Sequence, residues 1–260
     1  MRHILLLIIV IFFSLTTATG NTDLKKIESL IKEKKFDQAI KLVKNTKSIE
    51  EKYKKRSLTK IESSRLESLI KEKKFDQAIK LMKNTKYIEE KYKKRGFTTI
   101  ESSRLESLMK EKKFDQAIKL MKNTKYIEEK YKKDGFTKIE SSRLESLLKE
   151  KKFDEAIKVV KNTKYIEEEY KKDGFSKIVG LWLQNYLQEK KFDESEKLVK
   201  KSKYLDEGKK PEVYKQIVGL RLQNYLQEKK FDEAEKLVKK SKYLDEDDKK
   251  RILSQIEGLK

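Results

Sequence analysis

Phe75-Asp76-Gln77-Ala78-Ile79 decides the fold, because the same Phe-Asp opening returns at Phe36, Phe114, Phe153, Phe192 and Phe231, always 39 residues apart. A period of that length marks a chain of supersecondary units, each too small to bury its own apolar face. Such units stack on their neighbours to build a continuous core. The expected fold class is therefore all-α, a right-handed α-solenoid of about six helix-turn-helix repeats starting near residues 36, 75, 114, 153, 192 and 231. The repeats opening at Phe75 and Phe114 differ only at Arg95/Asp134, Thr99/Lys138 and Met109/Leu148, which points to recent duplication.

Composition agrees with helices. Charged residues make up 42% of the chain, with one proline and eight glycines, which suits exposed helices better than sheets. Disorder is the competing reading of so charged a chain, and the apolar residues argue against it because they return in register in every repeat. Residues 1–20 open with Met1-Arg2-His3, continue through an apolar run from Ile4 to Phe13, and turn small and polar from Ser14 to Gly20. This reads as a secretory signal peptide cleaved after Gly20, its apolar run being shorter than the ~20 residues a membrane span needs. Residues 21–260 are then a secreted, extracellular repeat solenoid with no membrane span after cleavage.

Loss of Arg2 lowers the formal charge from +22 to +21, and loss of His3 removes the single histidine. The mature chain holds neither His nor Cys, so nucleophilic triads built on them, zinc sites and redox motifs lack their side chains. No glycine-rich phosphate loop is present. Asp245-Glu246-Asp247-Asp248, the densest acidic run, lacks calcium-loop spacing and reads as a helix cap. No catalysis, metal or cofactor is expected.

Within a repeat, Thr98-Thr99-Ile100-Glu101 has the form of a capping box opening a first helix, and Thr59 to Glu62 and Thr137 to Glu140 repeat it. Lys112-Lys113 then closes a tight turn, and Phe114-Asp115 opens the second helix with Asp115 at or beside its N-cap. That helix is expected to continue, bent, across Asn123-Thr124 to Tyr131 and to end at Gly135 in a left-handed conformation, as at Gly96 and Gly174. Helices of ~14 and ~18 residues use up the period. In the fifth repeat the second helix should stop near Asp206 and the next should start at Pro211. Ile252, Leu253, Ile256 and Leu259 should form the apolar face of a closing helix.

Phe153-Asp154-Glu155-Ala156-Ile157, preceded by Leu147-Leu148-Lys149-Glu150-Lys151-Lys152, resembles the turn and second-helix start of tetratricopeptide-type repeats. The likeness covers about a third of each repeat. It implies a superhelix whose first helices line a concave groove that binds extended peptides or other proteins without catalysis.

Two sets of residues are candidates for binding. Arg65, Arg104, Arg143, Trp182 and Arg221 occupy one position of successive first helices, an arginine column with a single aromatic anchor, and both residue types are enriched at binding hot spots. The bland reading is an arginine whose stem covers the core edge and a tryptophan that fills a gap. Lys73, Lys74, Lys112, Lys113, Lys151, Lys152, Lys190, Lys191, Lys229 and Lys230 fall at the repeated turn, with Lys54-Lys55-Arg56, Lys93-Lys94-Arg95, Lys132-Lys133 and Lys171-Lys172 forming a second basic set. Such ridges could follow a polyanion such as heparan sulfate, nucleic acid or an anionic membrane surface, or could simply keep the protein soluble. The leading expectation is a secreted scaffold for a protein or peptide partner. Polyanion binding is the alternative, and a host-directed secreted effector a minor one.

Overall fold

Each 39-residue repeat folds as a 10-residue helix followed by a long one, of 21 residues in the first four copies. A computed structural model describes residues 21–260; the expected signal peptide, residues 1–20, lies outside the described residues. The chain is all-α, and among the described residues 13 α-helices form sequential hairpins, an arrangement consistent with an α-solenoid. It divides between Lys132 and Lys133 into two compact units. The first holds α1 (Asn21–Lys32), α2 (Phe36–Asn45), α3 (Glu51–Lys71), α4 (Phe75–Asn84), α5 (Glu90–Lys110) and α6 (Phe114–Asn123). The second holds α8 (Phe153–Asn162), α9 (Glu168–Gln188), α10 (Phe192–Lys201), α11 (Lys210–Gln227), α12 (Phe231–Lys240) and α13 (Glu246–Glu257); the division falls inside α7 (Glu129–Lys149). No described helix is long and apolar enough to cross a membrane.

The short helix is the repeat's centre because both neighbouring long helices pack on it. In α4, Ala78 and Met82 are buried against Phe97 and Ile100 of α5, while Leu66, Leu69 and Ile70 of α3 close the other side. The alanine of Phe-Asp-x-Ala is fully buried at Ala39, Ala78, Ala156 and Ala234, where a larger side chain would push the helices apart. Ser195 takes this place in α10, and its hydroxyl donates to the Lys191 carbonyl at 2.9 Å, so no polar group is stranded.

The turn before each short helix stands at the repeated Lys-Lys pair, as the sequence predicts, but its chemistry differs from the usual one. Lys34, Lys73, Lys112, Lys151, Lys190 and Lys229 all have φ between 55° and 58°. At Lys73 the amides of Lys73 and Lys74 donate to the carbonyls of Ile70 and Leu69, so the left-handed residue that ends the long helix is a lysine. Gly96 and Gly174, expected to hold that conformation, instead lie within α5 and α9, and no described glycine has positive φ. A Cβ at Gly96 would collide with Met82 Cε, so that glycine makes room for a core methionine.

The long helix also begins earlier than expected. Thr98 is not an N-cap: it lies within α5, and its hydroxyl sits 3.0 Å from the Lys94 carbonyl and 2.6 Å from the Tyr126 carbonyl of the loop after α6. Thr59, Thr137 and Ser176 reach Tyr87, Tyr165 and Tyr204 in the same way. The continuous bent helix is likewise corrected. The chain breaks at Thr85, Thr124, Thr163, Ser202 and Ser241, whose hydroxyls accept the amide two residues on, a local bond that competes with helix continuation. The tyrosine that follows then stacks on an aromatic of the preceding long helix, as in Phe97–Tyr126 at 4.2 Å and Phe175–Tyr204 at 4.0 Å between ring centroids.

At the C-terminal side, α10 ends at Lys201 rather than near Asp206, because Ser202 makes the same turn; a 3-10 turn over Glu207–Lys209 leads into α11 with Pro211 in its first turn, as expected. Asp245 caps α13 by accepting the Asp248 amide at 2.7 Å. Ile256 is fully buried with Ile252 and Leu253 packed beside it, but Leu259 lies past the helix and is exposed.

Candidate functional site

The arginine column is a set of bridges. Asp37, Asp76 and Asp193 stand in the first turn of short helices α2, α4 and α10, and each accepts from Nη1 of the arginine 28 residues later on the following long helix. The distances are 2.8 Å for Arg65–Asp37, 2.9 Å for Arg104–Asp76 and 2.8 Å for Arg221–Asp193. At the C-terminus Lys260 takes the same register and lies 3.7 Å from Asp232. Arg143 stands at this register in α7. The guanidinium groups of Arg65, Arg104 and Arg221 are thus engaged by the chain's own aspartates.

Trp182 interrupts the column. It is half-buried and lies over Phe153 with ring centroids 5.7 Å apart and planes 15° from parallel, and Tyr186 follows one turn later at 5.9 Å. A cleft of ≈ 320 Å³ opens beside these rings, lined by Phe153, Asp154, Glu155, Trp182, Asn185 and Tyr186 with Lys151, Lys152, Glu189 and Lys191 at its rim. The rim lysines are engaged: Lys151 and Lys191 bind Glu189 at 3.2 and 2.7 Å, and Lys152 binds Glu150 at 2.8 Å. Those two lysines hold the Glu189 carboxyl down at about 2, Lys191 contributing most. Asp154 and Glu155 are exposed and make no ion pair among the described residues.

Three residues before the column lies a second contrast. Glu62 and Glu101 are buried in α3 and α5, each with Oε2 lacking a hydrogen-bond partner, whereas Val179 and Val218 fill this register in α9 and α11. Burial raises both glutamate pKa values, against the opposing pull of Arg65 and Arg104.

The turn lysines form a charge lattice. Lys73 reaches Glu111 of the next turn at 2.6 Å while Lys74 binds Glu72 at 2.8 Å, and Lys34, Lys113, Lys190 and Lys230 make equivalent pairs. Glu72 and Glu111 are held down at about 2 by these bonds, Lys34 and Lys113 respectively contributing most. The second basic set is compensated too, Lys93 by Glu90 at 2.6 Å and Lys94 by Glu128 at 3.1 Å. The surplus positive charge lies elsewhere. Lys80, Lys83, Lys119 and Lys122 stand on the outer faces of α4 and α6, exposed and without an ion pair among the described residues.

Sequence reasoning found the column but missed Asp154 and Tyr186. The available signal was the constant 28-residue step from the Phe-Asp aspartate to a cation, broken only where Asp154 meets Trp182. Compared with known proteins, the chain matches no family model and no curated protein.

Proposed function

We propose that the chain is a non-catalytic repeat scaffold that binds a protein or peptide partner at the long-helix surface centred on Trp182. The observation that carries this reading is the break in the cation column: at one register the bridge between hairpins is replaced by a half-buried indole, a neighbouring phenol and an aspartate with no internal cation. The bridge recurs at Arg65, Arg104 and Arg221, and the repeat bearing Trp182 departs from it. Exposed Leu181 beside Trp182, where Ser64 and Ser103 stand in earlier repeats, extends the apolar surface. The likeness of Phe153 to Ile157 to tetratricopeptide-type repeats supports peptide recognition, and the export signal expected over residues 1–20 supports a partner outside the secreting cell. Selection of a random peptide library on the protein tests this. Enriched peptides should lose binding to Trp182→Arg, which restores the column and keeps the fold. Absence of enrichment, or peptides indifferent to that change, would refute the reading.

A second reading, polyanion binding, is favoured by the lysines of α4 and α6 rather than by the turn ridges. It predicts that affinity for a heparin-like chain falls linearly in log Kd against log salt and drops in Lys83→Glu/Lys122→Glu, while Lys73→Glu has less effect. Salt-insensitive binding would remove it.

A further inference from the structure

The chain carries its own template for what the Trp182 cleft receives. One repeat further on, Arg221 donates from Nη1 to Asp193 at 2.8 Å and from Nε to the Tyr225 hydroxyl at 3.0 Å, with its guanidinium carbon 5.6 Å from the Tyr225 ring centroid. Asp154 and Tyr186 stand 39 residues before Asp193 and Tyr225, so both hydrogen-bond partners of Arg221 recur beside Trp182, while Glu196, 3.7 Å from Arg221 Nη1, has the aliphatic Ile157 as its counterpart. In the place of the guanidinium stands a flat indole.

We infer that this cleft takes an arginine side chain from a partner polypeptide, its guanidinium paired with Asp154 and lying against the rings of Trp182 and Tyr186. The inference deepens the scaffold reading above and rests on it. Arginine fits better than lysine because a planar fork serves a carboxylate and an aromatic face together. An acidic occupant fits worse: the rim lysines Lys151, Lys152 and Lys191 are already bound to Glu189 and Glu150, and the carboxylates left over are Asp154 and Glu155. The chain's overall positive charge matters little here, since beyond ~8 Å it is screened at physiological salt and the nearby carboxylates decide.

Trp182 is the single tryptophan, so emission of the whole protein reports on this cleft. The probes are five capped tripeptides, acetyl-Gly-X-Gly-amide, with X arginine, lysine, citrulline, glutamate or leucine. The arginine peptide should shift Trp182 emission saturably, and citrulline, the same shape without the charge, should bind about five-fold more weakly. Asp154→Asn, at an exposed position, should weaken the arginine peptide about five-fold and leave the melting temperature unchanged. In Trp182→Arg the amide shift of Tyr186, read by NMR, should no longer respond to the peptide. Equal binding of citrulline, an unchanged affinity in Asp154→Asn, or retained binding in Trp182→Arg would each overturn the inference. Saturation by the glutamate or leucine peptide but not by arginine would overturn it while leaving the scaffold reading in place. Silence from all five would count against both.

Discussion

Helices α3 and α5 and helices α9 and α11 solve one packing problem in two ways. In the first pair the face turned to the preceding short helix carries a buried glutamate and, three residues on, an arginine bridging to an aspartate; in the second pair valine replaces the glutamate, and at α9 tryptophan replaces the arginine. The left-handed lysine and the small residue of the short helix are held constant in all four joints, and the hydroxyl reaching the tyrosine carbonyl is kept in α3, α5 and α9, with Lys215 in its place in α11. The geometry therefore tolerates either an ionic or an apolar filling, and what varies is free to serve something other than folding.

The largest expected effect tests what the two pairs share. Ile100 and Ile217 are both fully buried at the same register, so Ile100→Ala and Ile217→Ala should each lose about 3 kcal/mol in denaturant unfolding. A clear inequality would mean that the joints are not equivalent. Exchanging the contrasting residues comes next. Val218→Glu should lose about 2 kcal/mol by placing a carboxylate in an apolar register, and Glu101→Val should gain about 1 kcal/mol by removing a buried oxygen without a partner. Opposite signs in the two swaps would sharpen the contrast; destabilisation by both would show that each half is tuned to its own residue.

The same groups predict a pH dependence. Raised carboxyl pKa values at Glu62 and Glu101 mean that the folded state holds protons the unfolded chain releases, a stabilisation present below the ordinary glutamate value and lost as pH rises through the raised one. Glu72, Glu111 and Glu189, lowered to about 2, act oppositely: their contribution is present above the ordinary value and is lost as pH falls towards about 2. Melting temperature should therefore peak in mild acid, and Glu62→Val/Glu101→Val should flatten the neutral side alone. A double variant that flattens the acid side instead would reverse the assignment. The smallest effect belongs to the turn. Lys73→Gly and Lys190→Gly should each gain about 0.5 kcal/mol by relieving a left-handed lysine, less what is lost in an exposed ion pair and in freedom of the unfolded chain, and should gain equally in both units.

The period, the fold class and the start of each short helix were legible because Phe-Asp-x-Ala combines spacing with a small residue where helices cross. The other boundaries were not, and the reasons are local. Thr98 and Glu101 have capping-box spacing, yet the threonine joins two repeats and the glutamate is buried, a use visible only once Tyr126 is brought near. Asn123-Thr124 could bend or break, and the hydroxyl bond to the Tyr126 amide decides for a break. Glycine suggested the left-handed residue, but lysine holds it, with the preceding carbonyls fixing the turn. The cation column was visible as a column, whereas the constant 28-residue step to its aspartates acquires a meaning only once the short helix is seen to lie against the long one.

Lysine at every left-handed turn, with one glutamate behind it and the next turn's glutamate ahead, makes each junction chemically the same as the one before it. Excision of residues 75–113 would join Lys74 to Phe114 and recreate Lys-Lys-Phe-Asp without a scar. Repeat number is then a quantity that unequal recombination can raise or lower in whole steps.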